Sequence, residues 1–141
     1  MLSNTYTRTI EWGDCDPAGI VFNPQFFRFF DHGTALLYGA AGWPKPRMLA
    51  EFNAIGCPLV STEAAFTAPC HHGEEATITS TVTSLGKSSF TIEHELRVGE
   101  RLCVKGKEVR VWVIREPETG RLKGEPIPGV MRAAFLTTGG T

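Results

Sequence analysis

Asn23-Pro24-Gln25-Phe26-Phe27-Arg28-Phe29-Phe30-Asp31-His32-Gly33-Thr34-Ala35-Leu36-Leu37-Tyr38-Gly39-Ala40-Ala41-Gly42 decides the fold. Asn23 before Pro24 reads as an N-cap and a first helical residue, because proline lacks only an N–H that a helix start leaves unpaired. On a 3.6-residue wheel Phe26, Phe29, Phe30, Gly33, Leu36, Leu37, Ala40 and Ala41 share one broad arc. Gln25, Arg28, Asp31, His32 and Tyr38 take the opposite side. Phe26, Phe27, Phe29 and Phe30 fall within five positions, so this helix must bury deeply. Gly33 on the apolar arc lets a sheet approach the backbone. Gly39 and Gly42, with Pro44 and Pro46, end the helix.

Around that helix the chain reads as strands. Residues 5–12 alternate, with Tyr6, Arg8, Ile10 and Trp12 on one face and Thr5, Thr7, Thr9 and Glu11 on the other. Residues 47–54 suit a short second helix, and 59–68 a strand closed by Pro69. Residues 75–85 alternate around Ile78 and Val82. Residues 89–98 alternate more clearly, with Phe90, Ile92, His94, Leu96 and Val98 on one side. Residues 101–115 read as one long strand whose phase breaks near Gly106, predicting a bulge there. Pro117-Glu118-Thr119-Gly120 is a turn, with a short strand or terminal helix expected within 122–136. One early helix followed by consecutive strands implies an α+β domain, an antiparallel sheet curled around one long hydrophobic helix.

Length and charge bound the function. The 141 residues fit one domain, and a formal net charge of −1 makes no electrostatic case for nucleic acid or an anionic membrane. No apolar run is long enough to span a bilayer, and Met1–Tyr6 lacks the basic and apolar regions of a secretory signal. Cys15, Cys57, Cys70 and Cys103 form no C-x-x-C pair, so free thiols in a reducing cytoplasm are expected.

Just before the helix, Asp14-Cys15-Asp16-Pro17-Ala18-Gly19-Ile20-Val21-Phe22 sets two carboxylates in a tight loop. Loop aspartates usually serve the turn itself. Here a carboxylate also lies beside a helix start, whose unpaired N–H groups and partial positive charge suit an acyl-transfer site. Asp14 and Asp16 as a D-x-D metal site lack a completing cluster. His71-His72 matches no ligand spacing and reads as a solvated turn, and no metal is expected. His94 reads as a satisfied core or interface histidine. Glu63 is the only charge between Ile55 and Cys70, either at an exposed edge or lining a site across an interface. Cys15 has no adjacent base and reads as a small loop residue.

The block from Glu11 to Phe22, followed by an aromatic-rich helix, resembles the hot-dog-fold acyl-CoA thioesterases, and more narrowly the 4-hydroxybenzoyl-CoA thioesterase group of bacteria that degrade aromatic acids. The likeness is strongest over residues 10–31. It continues through Gly56-Cys57-Pro58-Leu59-Val60-Ser61, Ala65-Phe66 and Lys87-Ser88-Ser89-Phe90, so one hot-dog domain is expected over 1–141. The resemblance implies that Asp16 is the catalytic carboxylate, attacking the thioester carbonyl or acting as a general base. It implies that the thioester oxygen points at the helix start, toward the N–H of Asn23, with Gln25 and Phe26 as further donors. The group carries tyrosine at the position of Asn23, and other relatives histidine. Asn23 retains the backbone N–H but brings neither a phenol nor an imidazole.

Lys87, Ser88 and Ser89 read as a hairpin turn. The resemblance makes that turn a contact for the CoA phosphates, with Arg121 or Lys123, of this or a neighbouring subunit, as helpers. Gly19 and Asp31 are set beside them as substrate-contacting positions. The family covers its open sheet by pairing domains, which implies a homodimer or a dimer-of-dimers tetramer. The expected activity is hydrolysis of an aromatic or small acyl-CoA. No cofactor is expected, since CoA belongs to the substrate. A non-catalytic acyl-CoA-binding module is the alternative. A hot-dog dehydratase would want a histidine between Asp14 and Pro24, and none is there.

Overall fold

The long helix α1 runs Pro24–Ala40 and is followed by α2 at Lys45–Phe52, with β1 at Ser3–Thr9 before both. The rest is mostly strand: β2 Ala54–Gly56, β3 Leu59–Phe66, β4 Glu75–Leu85, β5 Ser89–Val98, β6 Arg101–Val111, β7 Val113–Arg115 and β8 Leu122–Gly124. Helix α3, Gly129–Leu136, is the last element of the described residues. This computed structural model describes residues 1–137; the last four residues of the expected domain lie outside the described residues. An antiparallel sheet in the order β1-β4-β5-β6-β3 carries α1 on one face, and a small sheet β2-β7-β8 flanks it.

The register explains the packing. Ile78, Leu96 and Val104 are cross-strand partners and pack with Phe26, Phe29 and Phe30 under the first half of α1. Val82, Ile92 and Phe90 pack with Leu37, Tyr38, Trp112 and Phe135 under the second half. Ser80, His94 and Gly106 form a row between them. Phe30 stacks on His94 at 4.7 Å with rings 8° from parallel, directly over Gly106. A Cβ on Gly106 would sit 2.5 Å from the Phe30 ring. Because that ring is buried and stacked, it has nowhere to move. Gly106→Ala is therefore expected to lower unfolding free energy by about 1–3 kcal/mol, read in a urea melt; a loss under about 0.5 kcal/mol would refute the clash.

Several expectations shift. The bulge near Gly106 is instead at Cys103. Leu96 pairs with Val104 and Arg97 with Leu102, so Cys103 is the extra residue, and it is buried alongside its neighbour Val104. Gly106 is there for the Phe30 ring. The long strand 101–115 divides at Trp112, whose N–H turns to the Ser88 carbonyl. The strand expected over 5–12 ends at Thr9, and Trp12–Asp14 form a 3-10 turn that leaves Trp12 exposed. Tyr38, assigned to the polar side of α1, is fully buried, while Ala40 is exposed. Helix α3 folds back on the core and supplies the apolar partners Tyr38 needs, Phe135 among them. Both outcomes entertained for 122–136 occur, a strand and then a helix. Among the described residues no helix is long and apolar enough to cross a membrane.

Candidate active site

The Asp16 loop is a miniature hairpin. Cys15 bridges Val21, the Asp16 N–H donates to the Ile20 carbonyl (2.9 Å), and the Gly19 N–H donates back to the Asp16 carbonyl (2.9 Å). Gly19 has φ of +80°, the left-handed conformation that closes such a turn and that side chains resist. One carboxylate oxygen of Asp16, Oδ1, accepts the Ala18 N–H at 2.8 Å. The other oxygen takes no hydrogen bond among the described residues, and the side chain is half-buried. This geometry presents one free oxygen of an anchored carboxylate. Partial burial and the flanking carboxylates of Asp14 and Asp16 push the Cys15 thiol up, away from the reactive thiolate.

The hairpin feeds directly into α1. Asn23 does not cap with its side chain, and its backbone is already helical. Phe22 accepts the Gln25 N–H (2.8 Å) and Asn23 the Phe26 N–H (3.1 Å), so both further donors are engaged. The Asn23 N–H takes no partner among the described residues. Beside it opens a cavity of about 250 Å³, lined by Ile20, Val21, Asn23, Phe26, Phe66 and Cys70, with three further residues of the 66–70 segment. Asp16 and Gly19 lie outside that lining. Along residues 16–26 the chain thus carries an anchored carboxylate, one unpaired N–H at a helix start and one wall of an apolar aromatic cavity. The two histidines, His71 and His72, are exposed and brace the loop: the His72 N–H donates to Gly19 (2.9 Å).

Asp31 sits farther along α1 and belongs to a network that the sequence reading missed. Arg110, buried, donates to Asp31 Oδ1 (2.8 Å), to Glu108 Oε1 (2.8 Å) and to the Cys57 carbonyl (2.9 Å). Glu108 also accepts the Thr34 hydroxyl at 2.6 Å and has His94 Nε2 at 3.5 Å. The other His94 nitrogen shares a 2.7 Å hydrogen bond with Ser80. Burial alone would push the Glu108 carboxyl up. Hydrogen bonds and charge from His94 and Arg110 outweigh it and hold the group at about 2. The signal was available: Gly106, Glu108 and Arg110 share the inward phase of β6, so two charges had to be buried together. Glu63 is exposed on edge strand β3, not buried.

Lys87, Ser88 and Ser89 are not brought to Asp16 within the chain. Thr9 and Glu75 pair at the Asp16 end, and β4 then runs to Leu85, which leaves the Lys87 turn roughly 30 Å away. That turn is hydrogen-bonded on several sides: the Gly86, Lys87 and Ser88 carbonyls accept from Trp112, Ile127 and Arg132. Arg132 is a second cation at the turn, with no motif in the sequence to mark it. Arg121 is exposed, and Lys123 pairs with Glu125 at 3.5 Å.

The thioesterase-like superfamily model matches residues 10–135. The 4-hydroxybenzoyl-CoA thioesterase of Pseudomonas sp. (strain CBS-3) is 30% identical over 132 residues, 89% of this chain and 92% of that protein. A crystal structure of a 4-hydroxybenzoyl CoA thioesterase variant complexed with 4-hydroxybenzoyl CoA superposes with a TM-score of 0.86 at 27% identity, over 96% of this chain and 99% of that one. A gentisyl-coenzyme A thioesterase superposes with a TM-score of 0.80 at 28% identity, over 95% and 100% of the two chains.

Proposed function

This chain belongs to the thioesterase-like superfamily and is an acyl-CoA thioester hydrolase on the hot-dog fold, and we propose that its substrate is a small aromatic acyl-CoA hydrolysed at Asp16. The observation that carries the reading is the free Asp16 oxygen on the hairpin that delivers the unpaired Asn23 N–H. Asp16 attacks the thioester carbon. The carbonyl oxygen takes on negative charge and is met by the Asn23 N–H and the positive end of α1. The C–S bond breaks, CoA leaves as a thiolate, and water hydrolyses the acyl–Asp16 anhydride to the free acid. In the general-base version the same carboxylate removes a proton from water instead. Thiolate is a good leaving group, so no strong general acid is required. Phe26 and Phe66 line the cavity, which favours a flat acyl group. Gly19 closes the turn without a side chain, leaving room for substrate beside the loop.

The reading covers one hot-dog domain over 1–141, a cytoplasmic enzyme of aromatic-acid breakdown working as a homodimer or a dimer-of-dimers tetramer. Edge strand β3 exposes Val60 and Phe66, surface suited to a second copy. A second subunit is also what would bring a Lys87 turn near Asp16. Lys87, Ser88 and Ser89 would then hold the CoA phosphates, and Asp31, fixed by Arg110, would meet the substrate.

The test is thiol release with a chromogenic reagent across benzoyl-, 4-hydroxybenzoyl-, phenylacetyl-, short-chain and long-chain CoA. An aryl member is expected to turn over fastest, equally well with a chelator present. Turnover confined to aliphatic members would remove the aryl assignment, and binding without turnover would favour the acyl-CoA-binding module. Lys87→Ala is expected to raise KM several-fold with kcat nearly unchanged, since a phosphate contact remote from the carbonyl binds ground and transition states alike. An unchanged KM, or a mass in solution equal to one chain at all concentrations, would remove the cross-subunit phosphate role.

A further inference from the structure

Asp14, the first aspartate of the loop signature, is tied to both neighbours of the loop. Its Oδ2 accepts the Glu11 N–H (2.9 Å) and an Arg8 Nη2–H (2.9 Å), capping the 3-10 turn Trp12–Asp14. Its carbonyl accepts the Phe22 N–H at 3.0 Å, one residue before Asn23. Arg8, on β1, lies with its guanidinium 4.0 Å over the ring of Phe29 on α1. The Arg8 Nε is buried with no hydrogen-bond partner among the described residues, so stacking and Asp14 orient this side chain. Tyr6, on the same strand, donates to the Phe29 carbonyl at 2.6 Å. Strand, helix and loop therefore converge on one charged contact.

We propose that Arg8 and Asp14 are positioning residues that hold the Asp16 hairpin in register with the start of α1. The inference rests on Asp16 being the catalytic carboxylate. The pair acts through the loop rather than on the reacting atoms. It fixes the distance between the attacking oxygen, two residues beyond Asp14, and the Asn23 N–H, immediately after Phe22. A reacting pair displaced by about 1 Å loses roughly a hundred-fold in rate, whereas an exposed ion pair of no positional consequence loses almost nothing.

The experiment compares Arg8→Met, Arg8→Lys, Asp14→Asn and the double variant Arg8→Met/Asp14→Asn by steady-state kinetics on the best acyl-CoA of the panel. Glu95→Gln, which breaks the exposed pair with Arg97, and Asp16→Asn accompany them. Arg8→Met and Asp14→Asn are expected to lower kcat about 10- to 100-fold with KM within about two-fold. The double variant should be no slower than Asp14→Asn, because Arg8 acts through that carboxylate. Arg8→Lys, which keeps one donor to Asp14, should recover most of the rate, and Glu95→Gln should match the parent. Wild-type kcat in both single variants, or losses that multiply in the double, would overturn the clamp. Asp14→Asn keeps the side-chain volume, so it reports even where Arg8→Met folds poorly. Wild-type turnover in Asp16→Asn would instead overturn the catalytic assignment beneath it.

Discussion

Asp16→Asn is expected to reduce kcat by at least about a thousand-fold while leaving acyl-CoA affinity within a few-fold. The substitution is unusually clean in this loop. The Asp16 oxygen that accepts the Ala18 N–H is replaced by an amide oxygen that can accept the same bond. The turn, closed by Gly19, should therefore persist. What disappears is the free anionic oxygen, and an amide neither attacks a thioester nor takes a proton from water at neutral pH. Thiol release and calorimetric titration with a non-hydrolysable acyl-CoA analogue separate the two effects. Loss of binding together with turnover would mean that the loop collapsed. Near-normal turnover would mean that the chemistry belongs to another group. Asp16→Ala loses the turn bond as well and distinguishes these less well.

The second large effect concerns stability. Glu108→Gln is expected to cost about 3–5 kcal/mol, because it leaves the buried Arg110 guanidinium facing an amide with only the largely exposed Asp31 as counter-charge. An exposed pair such as Arg47–Glu51 should cost under about 0.5 kcal/mol when broken, which gives the contrast in the same urea series. A Glu108→Gln loss below about 1 kcal/mol would show that the network is not a cooperative ion pair. The acid limb should report the same group. Its folded value, about 2, lies below the ordinary carboxylate value of 4.5, so the folded state binds the proton less readily than the unfolded chain. The stabilisation is thus complete above about pH 4.5 and is lost as pH falls toward 2, on the order of 3 kcal/mol in all. Glu108→Gln should flatten that part of the stability curve.

The local grammar of this chain was plain from its residues. Phe26, Phe29 and Phe30 mark α1 because their spacing leaves no other way to bury three rings on one face. Strands β4 and β5 were readable to the residue, since alternation is strict wherever one sheet face is covered and the other is wet. The Asp16 loop was legible as a tight turn, through its proline, its glycine and its place before Asn23-Pro24, while its pairing into a hairpin came with the structure.

What the tertiary structure alone decided are the relations between residues far apart in the chain. Gly106 looked like a bulge because a lone glycine in a strand has two explanations, and only the Phe30 ring lying over it chooses between them. Tyr38 looked polar-sided because its apolar partners arrive with α3, almost a hundred residues later in the sequence. Asp31 looked like a helix-surface charge until Arg110 reached it from β6. Arg8 and Asp14 gained a joint meaning only when Phe29 supplied the ring beneath the guanidinium. Periodicity reports which face of an element is buried, because the hydrophobic effect is non-directional and acts on each element as it stands. Hydrogen bonds, ion pairs and ring stacking need a partner at a set distance and angle, and the partner's position exists only once the sheet has closed around the helix.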